Sequence, residues 1–313
     1  MGNKWQLTGP YLAPSLFYLM EGIIEKQKSY KDETGKLYLI PTPIGNLEDM
    51  SVRGVKILDA ADLIASEDTR NTQKLLNHFD IAAEQKSLHE HNYKQRIPEF
   101  LKLLKQGKTI AQVSDAGMPS ISDPGQELVT ACIQEEIAVI SLPGPTAGLT
   151  ALIASGLTAQ PHYFYGFLPR KKNEQQNELK NLVTMKATLL FYESPNRLKN
   201  TITNMTEVFH EQRQAVICRE LTKIHEEYLR GTLSELKEYL NETPIKGECC
   251  LLVEGQIEQE KENSQTLQEP LKVQVERLIT EGFKPNTAIK EIAKQNGLKK
   301  QVVYNDYHDL KQS

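Results

Sequence analysis

The stretch that most constrains this chain runs from Gly35 to Arg70, GKLYLIPTPIGNLEDMSVRGVKILDAADLIASEDTR. Leu37, Tyr38, Leu39 and Ile40 form a short apolar run stopped by Pro-Thr-Pro, the pattern of a strand buried in a parallel sheet. Pro41 and Pro43 remove two backbone donors and Gly45-Asn46 admits positive φ, so the chain turns there. Val52, Val55, Leu58 and Ala61 then recur at helical spacing, and Asp62-Leu63-Ile64-Ala65 restarts a strand. Glu67-Asp68-Thr69-Arg70 follows at its carboxyl end. Open α/β sheets bind ligands outside the carboxyl ends of their strands, so two polar loops leaving one sheet edge predict a cleft.

The next segments repeat the pattern. Asn71 to His78 reads as a helix burying Leu75 and Leu76. In Ser87-Leu88-His89-Glu90-His91-Asn92 the two histidines stand at i and i+2. That spacing puts them on opposite sides of a strand and makes them diverge on a helix, which favours a polar loop over a metal site. A helix from Ile97 to Lys105 ends at Gly107, and the strand Thr109–Val113 opens into the loop SDAGMPSISDPG, residues 114–125. Small residues there allow close backbone approach, and the carboxylates suit hydroxyls or an amine rather than phosphate. After a helix from Glu127 to Gln134 and a strand from Ala138 to Leu142 comes Pro143-Gly144-Pro145-Thr146-Ala147-Gly148, then an apolar helix from Leu149 to Ser155. Free N–H groups at that helix start can hold a polar group. None of these loops is G-x-G-x-x-G or G-x-x-x-x-G-K-[ST], which argues against a dinucleotide site or P-loop.

Composition shifts near Phe164–Gln176, where Arg170-Lys171-Lys172 reads as a domain junction with a mobile basic loop. Strands are expected at Thr188–Tyr192, Gln214–Cys218, Glu226–Gly231 and Glu248–Glu254, with helices at Asn196–Phe209 and Leu233–Leu240. Polar clusters end two of those strands: Glu193-Ser194-Pro195-Asn196-Arg197 and Arg219-Glu220-Leu221-Thr222-Lys223. Gln256–Glu269 reads as a polar linker. Beyond it, helices are expected at Val273–Ile279 and at Asn286–Gln295, the latter with Asn286 as N-cap and Gly297 as C-cap. A third helix from Lys299 carries Val303, Tyr307 and Leu310 on one face, giving a helix-turn-helix-like tail. From Leu271 onward eight basic residues outweigh five acidic ones. An RNA surface and a solvated bundle face are both open readings of that excess.

A length of 313 residues accommodates two domains. With a net charge of -4, any nucleic-acid surface must be local. Cys132, Cys218, Cys249 and Cys250 show no C-x-x-C spacing, so zinc and a disulfide framework are disfavoured and a reducing cytoplasm fits. The apolar run Tyr11–Met20 is shorter than the ~20 residues of a membrane span. The expected organisation is therefore an extension (1–35), two α/β domains (36–160 and 161–255), a linker (256–270) and a helical tail (271–313).

Taken in order, LYLIPTPIGNL, IASEDTR, VSDAGMP, LPGPTA, FYESPNR and RELTK resemble the tetrapyrrole-methylase superfamily. Their nearest likeness is to its small-subunit ribosomal RNA (cytidine-2′-O)-methyltransferase I branch, over about Lys36 to Gly255. The Pro-rich first loop is that branch's form, where the tetrapyrrole enzymes have a Gly-rich one. The resemblance implies two α/β domains with S-adenosylmethionine in the cleft between them, and a cytoplasmic homodimer acting on 16S rRNA; no metal ligand is named among the candidate site residues. Carried over by motif, cofactor contacts would be Pro41, Asp115, Ala116, Gly117, Ile121, Thr146, Ala147, Tyr192, Glu193, Leu221 and Cys250. Positioning of the reacting atoms can supply roughly 7–11 kcal/mol. A base must also take the 2′-hydroxyl proton, with Glu193, Asp68 and one of His89 or His91 as unranked candidates. Arg70, Arg170, Lys171, Lys172, Arg197 and Lys223 would hold RNA phosphates.

Overall fold

The computed structural model describes residues 26–29, 35–256, 270–296 and 298–308. The readings for most of the N-terminal extension, nearly all of the linker, Gly297 and Leu310 lie outside the described residues. The chain divides into an α/β unit ending at Gln256 and a helical unit beyond it.

The α/β unit begins with strands and helices in alternation: β1 (Lys36–Leu39), α1 (Val52–Ala60), β2 (Leu63–Ser66), α2 (Thr69–His78), β3 (Gln85–Ser87), α3 (Tyr93–Lys105), β4 (Thr109–Val113), α4 (Gln126–Gln134) and β5 (Ala138–Ser141). The strands pair in parallel in the order β3-β2-β4-β1-β5. Helices cover both faces, which is why the inner strands are continuously apolar. Phe100, Leu104, Leu128 and Cys132 pack on one side, and Leu58, Leu76 and Ile81 on the other. Helix starts are fixed locally: Ser51 Oγ accepts the Gly54 N–H at 2.9 Å, and Asp68 accepts the Arg70 N–H at 2.9 Å. Such caps typically contribute about 1 kcal/mol. Helix α3 starts at Tyr93, upstream of the expected Ile97, with Pro98 inside it. The exposed edge at β5 is partly closed by Gln27, whose amide donates to Val139 O at 2.8 Å and accepts from Val139 N at 2.9 Å.

Helix α5 (Ala147–Ser155) leads to β6 (His162–Phe167), α6 (Lys172–Leu182), β7 (Thr188–Glu193), α7 (Pro195–Phe209), β8 (Gln214–Arg219), β9 (Glu227–Thr232), α8 (Leu233–Glu242) and β10 (Cys249–Val253). This second sheet is mixed, in the order β6-β7-β10-β8-β9, with β6–β7 parallel and the other pairs antiparallel. Leu198, Ile202 and Met205 of α7 pack on one face against Phe191, Ile217 and Leu251. On the other face Ala151 and Leu152 of α5 meet Leu190, Val216 and Leu252. The last helix of the first half thus covers the second sheet with Gly148, Ala151, Leu152 and Ser155, while its sequence AGLTALIAS is also apolar on the outward face, where Leu149 and Ile153 are exposed. The two sheets lie within one compact unit, each with its own buried clusters.

One expectation fails in part here. The basic segment after Phe167 is a loop only in part: Arg170 and Lys171 lie in the turn before α6, and Lys172 opens that helix, which buries Leu179 and Leu182. Arg197 Nη2 anchors the preceding turn by donating to Leu168 O at 2.9 Å and Pro169 O at 3.1 Å. With so few apolar positions in KNEQQNELKNL, the helical period was hidden by solvent-facing residues.

In the helical unit, α9 (Leu271–Thr280), α10 (Pro285–Gln295) and α11 (Lys300–Tyr307) enclose Val275, Ala288, Ile289, Ile292 and Val303. Lys284, not Asn286, is the N-cap of α10, because Pro285 takes the first helical position that its fixed φ suits. Among the described residues no helix is long and apolar enough to cross a membrane.

Candidate active site

The loops after β1, β2, β4 and β5 face the ends of β7, β8 and β10 across a cleft of about 520 Å³, within the usual range for small-ligand sites. Backbone bonds sew the loops together. Thr42 lies between two prolines and pairs with Gly117: its N–H donates to Gly117 O at 2.9 Å, and Gly117 N–H returns to Thr42 O at 3.0 Å. Thr42 Oγ1 also donates to Ser114 O at 3.1 Å. Gly117 has φ +79°, which suits glycine. At Gly125 φ is +136°, and a Cβ there would lie 1.8 Å from Nε2 of buried Gln112. That amide donates to Ser120 Oγ at 2.8 Å, so the loop is folded over Gln112.

Asp115, Ala116, Gly117, Ile121, Thr146, Ala147, Tyr192, Glu193, Leu221 and Cys250 all line the cleft. Pro41 does not. It is buried behind the wall, where a Cβ on Gly144 would approach its Cβ to 2.6 Å. Tyr192 turns its hydroxyl to the start of α5, accepting the Gly148 N–H at 3.2 Å, and burial raises its pKa.

The charge of the cleft is one-sided. Glu67, Asp115, Asp123, Glu193 and Glu248 line it, with no Lys, Arg or His among the described lining residues. Arg197 Nε pairs with Glu193 at 3.3 Å, and Lys223 Nζ with Glu248 at 2.8 Å. Among the described residues Glu67, Asp115 and Asp123 form no ion pair, although Asp115 accepts from Asn71 Nδ2 at 2.8 Å and from the Asp68 N–H at 3.3 Å and lies within the field of Arg70. Burial raises the pKa of Glu67, and the Asp123 and Asp115 charges add to it. Burial likewise raises Asp123, opposed by a Ser114 hydrogen bond and reinforced by Asp115. Such a site disfavours phosphate and favours cations, amines and hydroxyls.

Glu193, at the end of β7, is 3 % exposed. Its Oε1 accepts the Ser194 N–H at 2.8 Å and its Oε2 the Thr201 hydroxyl at 2.7 Å. Asp68 lies outside the lining. Arg70 Nε and Nη2 bind it at 3.0 and 2.6 Å, and that pairing lowers its pKa to about 2. His89 bonds within its own turn to Asn92, and His91 pairs with neighbouring Glu90; neither lines the cleft. Lys171 pairs with Glu174, and Lys223 is held between Glu220 and Glu248. Arg170, Lys172 and Arg197 line a second cavity. Burial pushes Cys218 up to about 12 and Cys249 up to about 11, so these cleft thiols stay protonated at neutral pH and are poor nucleophiles.

The sequence reading passed over Glu67 and Asp123, although both stand inside the quoted motifs. A signal was available for Glu67. Asp68 caps α2, and neighbouring extended residues point opposite ways, which turns Glu67 towards the cleft.

Residues 36–237 match the family model of Tetrapyrrole (Corrin/Porphyrin) Methylases. The chain is 53% identical to the ribosomal RNA small subunit methyltransferase I of Streptococcus pyogenes serotype M1, over 92% of this chain and 100% of that protein. It is 45% identical to the protein of the same name from Bacillus subtilis (strain 168), over 91% of this chain and 99% of the relative. Among solved structures, a cobalt precorrin-4 methyltransferase superposes with a TM-score of 0.53 at 20% identity, covering 70% of this chain and 94% of the other. A Thermus thermophilus uroporphyrin-III C-methyl transferase, complexed with S-adenosyl homocysteine, gives 0.51 at 15% identity, covering 70% and 97%. These low-identity likenesses establish the fold. The family match and the close relatives establish that this chain belongs to the tetrapyrrole (corrin/porphyrin) methylase family, in its ribosomal RNA small subunit methyltransferase I group.

Proposed function

We propose that the protein transfers a methyl group from S-adenosylmethionine to the ribose 2′-hydroxyl of a cytidine in 16S rRNA. One observation carries the cofactor assignment: the cleft is lined by carboxylates, three of them outside any ion pair among the described residues, and by no described cationic group. A sulfonium with an amino-acid tail and ribose hydroxyls suits that chemistry, whereas a phosphorylated cofactor does not. Ala116 and Gly117 permit close backbone approach, and the exposed apolar side chains Ile121 and Phe167 offer flat contacts to a base. The complex of the Thermus relative with S-adenosyl homocysteine supports the same reading. The names of the close relatives support ribosomal RNA as the acceptor.

Bound there, S-adenosylmethionine supplies an electrophilic methyl group. The chain must align an acceptor oxygen with it, exclude water and receive one proton. Of the carboxylates, Glu193 already has both oxygens engaged by donors. Asp68 is tied to Arg70 and is too acidic to accept a proton well. Glu67 lies in the cleft with its pKa raised towards the working pH, and we assign it the base role. The proposal includes a cytoplasmic homodimer, supported by Leu149 and Ile153, which α5 leaves exposed.

The test uses labelled S-adenosylmethionine and small ribosomal subunits from cells lacking this enzyme, followed by nuclease digestion and mass spectrometry. Label in 2′-O-methylcytidine is the expected result. Label on another nucleoside overturns the acceptor assignment. No transfer to the subunit, with cofactor binding intact, shifts the reading to a small acceptor such as those named for the solved relatives.

A further inference from the structure

Behind the wall that carries Glu193 lies a second cavity of about 350 Å³, and its chemistry is opposite to that of the cleft. It is lined entirely by polar and basic side chains, from the β6–α6 turn, α6 and α7. Of its three cations, Lys172 is matched by Glu207 at 3.2 Å and Arg197 by Glu193 at 3.3 Å. Arg170 is exposed, and no carboxylate pairs with it among the described residues. Arg197 spends Nε on Glu193 and Nη2 on the Leu168 and Pro169 carbonyls, which leaves its Nη1 donors unused among the described residues.

The floor is built rather than incidental. Gln175, Thr201 and Asn204 are 3 %, 1 % and 6 % exposed. Asn204 Nδ2 donates to Gln175 Oε1 at 2.5 Å, Gln175 Nε2 donates to Thr201 Oγ1 at 3.2 Å, and the Thr201 hydroxyl donates to Glu193 Oε2 at 2.7 Å. Every donor in this chain points towards Glu193, so the carboxylate is an acceptor only, and it fixes Arg197 in turn. Asn200 and Thr203 add an amide and a hydroxyl to the lining.

We infer that this cavity is a phosphate subsite for the RNA strand whose ribose enters the neighbouring cleft. The inference rests on the proposed reaction, because an excess cation with unused guanidinium donors selects a phosphodiester once RNA is the acceptor. Glu193 lines the cleft while Arg197 and Thr201 line the cavity, so one layer of side chains separates the two. The division of labour is electrostatic: a carboxylate-rich cleft excludes phosphate from the reacting centre, and the adjoining basic cavity holds it.

The test compares full-length wild type, Arg170→Ala, Asn200→Ala and Lys180→Ala, the last removing an exposed lysine further along α6, outside the cavity. Binding to unmethylated small ribosomal subunits is measured across about 50–200 mM salt, alongside cofactor binding by calorimetry. Arg170→Ala should weaken RNA binding about tenfold, the worth of one charge-assisted hydrogen bond. It should also lower the log–log salt slope by about 1. Asn200→Ala should weaken binding without changing the slope. Cofactor affinity should stay constant throughout. An Arg170→Ala slope and affinity equal to wild type would overturn the subsite. So would an equal loss in Lys180→Ala, which would mean diffuse electrostatics. Wild type that neither binds nor methylates the subunit would sink the proposed reaction and the subsite together, so the two failures are told apart by the wild-type arm.

Discussion

Replacing Thr201 by valine keeps the shape of the side chain and deletes the hydroxyl that joins Gln175 to Glu193. The variant loses a 2.7 Å hydrogen bond to a carboxylate that is 3 % exposed. Gln175 Nε2 is left with Pro169 O, at 3.4 Å, as its remaining acceptor. A hydrogen bond to a charged group contributes about 1.5–3 kcal/mol, and a stranded buried donor costs about 1–3 kcal/mol. Glu193 keeps Ser194 and Arg197, so the expected loss is near the lower end of the sum, about 3 kcal/mol. For a unit of this size that is roughly 6–12 °C in Tm. Urea unfolding of Thr201→Val, Thr201→Ser, Glu193→Gln and the Thr201→Val/Glu193→Gln pair measures it. Thr201→Ser should retain most of the stability. The double variant should reveal a coupling of about 1 kcal/mol or more. A Thr201→Val protein within about 0.5 kcal/mol of wild type, or a serine variant as unstable as the valine one, would refute the donor chain.

Glu67→Gln should lower kcat by about 10²–10⁴-fold if Glu67 takes the proton. Its folded pKa lies above the unfolded value, so the folded state binds more protons and stability falls as pH rises from about 4.5 through the folded pKa. The glutamine variant should therefore melt higher than wild type at neutral pH, with the advantage fading near pH 4.5; a pH-independent difference in Tm argues against that carboxylate being strained. Asp115→Asn should weaken cofactor binding, measured by calorimetry, because it removes one of the cleft's negative charges; unchanged affinity would take Asp115 out of the site. Ending the chain at Gln256 should leave cofactor affinity intact, since the α/β unit is compact up to that residue, and should weaken binding to the ribosomal subunit. Equal activity with and without the helical unit would remove it from RNA recognition.

Much of the first sheet could be read from sequence because its signals are local. Apolar runs, caps and Pro/Gly punctuation put β1, β2, β4 and β5 within a residue or so of their positions. Three features were not legible. The polar helix α6 has too few apolar positions for its period to show, and β3 is a three-residue edge strand, Gln-Lys-Ser, with no pattern of its own. The mixed order of the second sheet depends on where β10 inserts, and nothing near residues 249–253 records that. The same division holds at the site. Loop residues such as Asp115 and Gly117 announce themselves by composition. Whether Glu67 or Asp68 faces the cleft depends on which one caps α2, and the partners of Glu193 come from α7, up to eight positions along the chain.

The place of β10 also sets the order in which this protein can become active as it is made. Cys249–Val253 is the last strand of the α/β unit, yet it runs between β7 and β8 in the centre of the second sheet, buried throughout. Until it arrives, β7 is paired only with β6 and β8 only with β9, each with one open edge, and one wall of the cleft lacks Cys249 and Cys250. A nascent chain can complete the first sheet once Ser141 has emerged, but the binding site closes only after Val253 has done so. Cofactor capture by ribosome-bound chains of graded length would thus report completion of the second sheet, switching on in one late step.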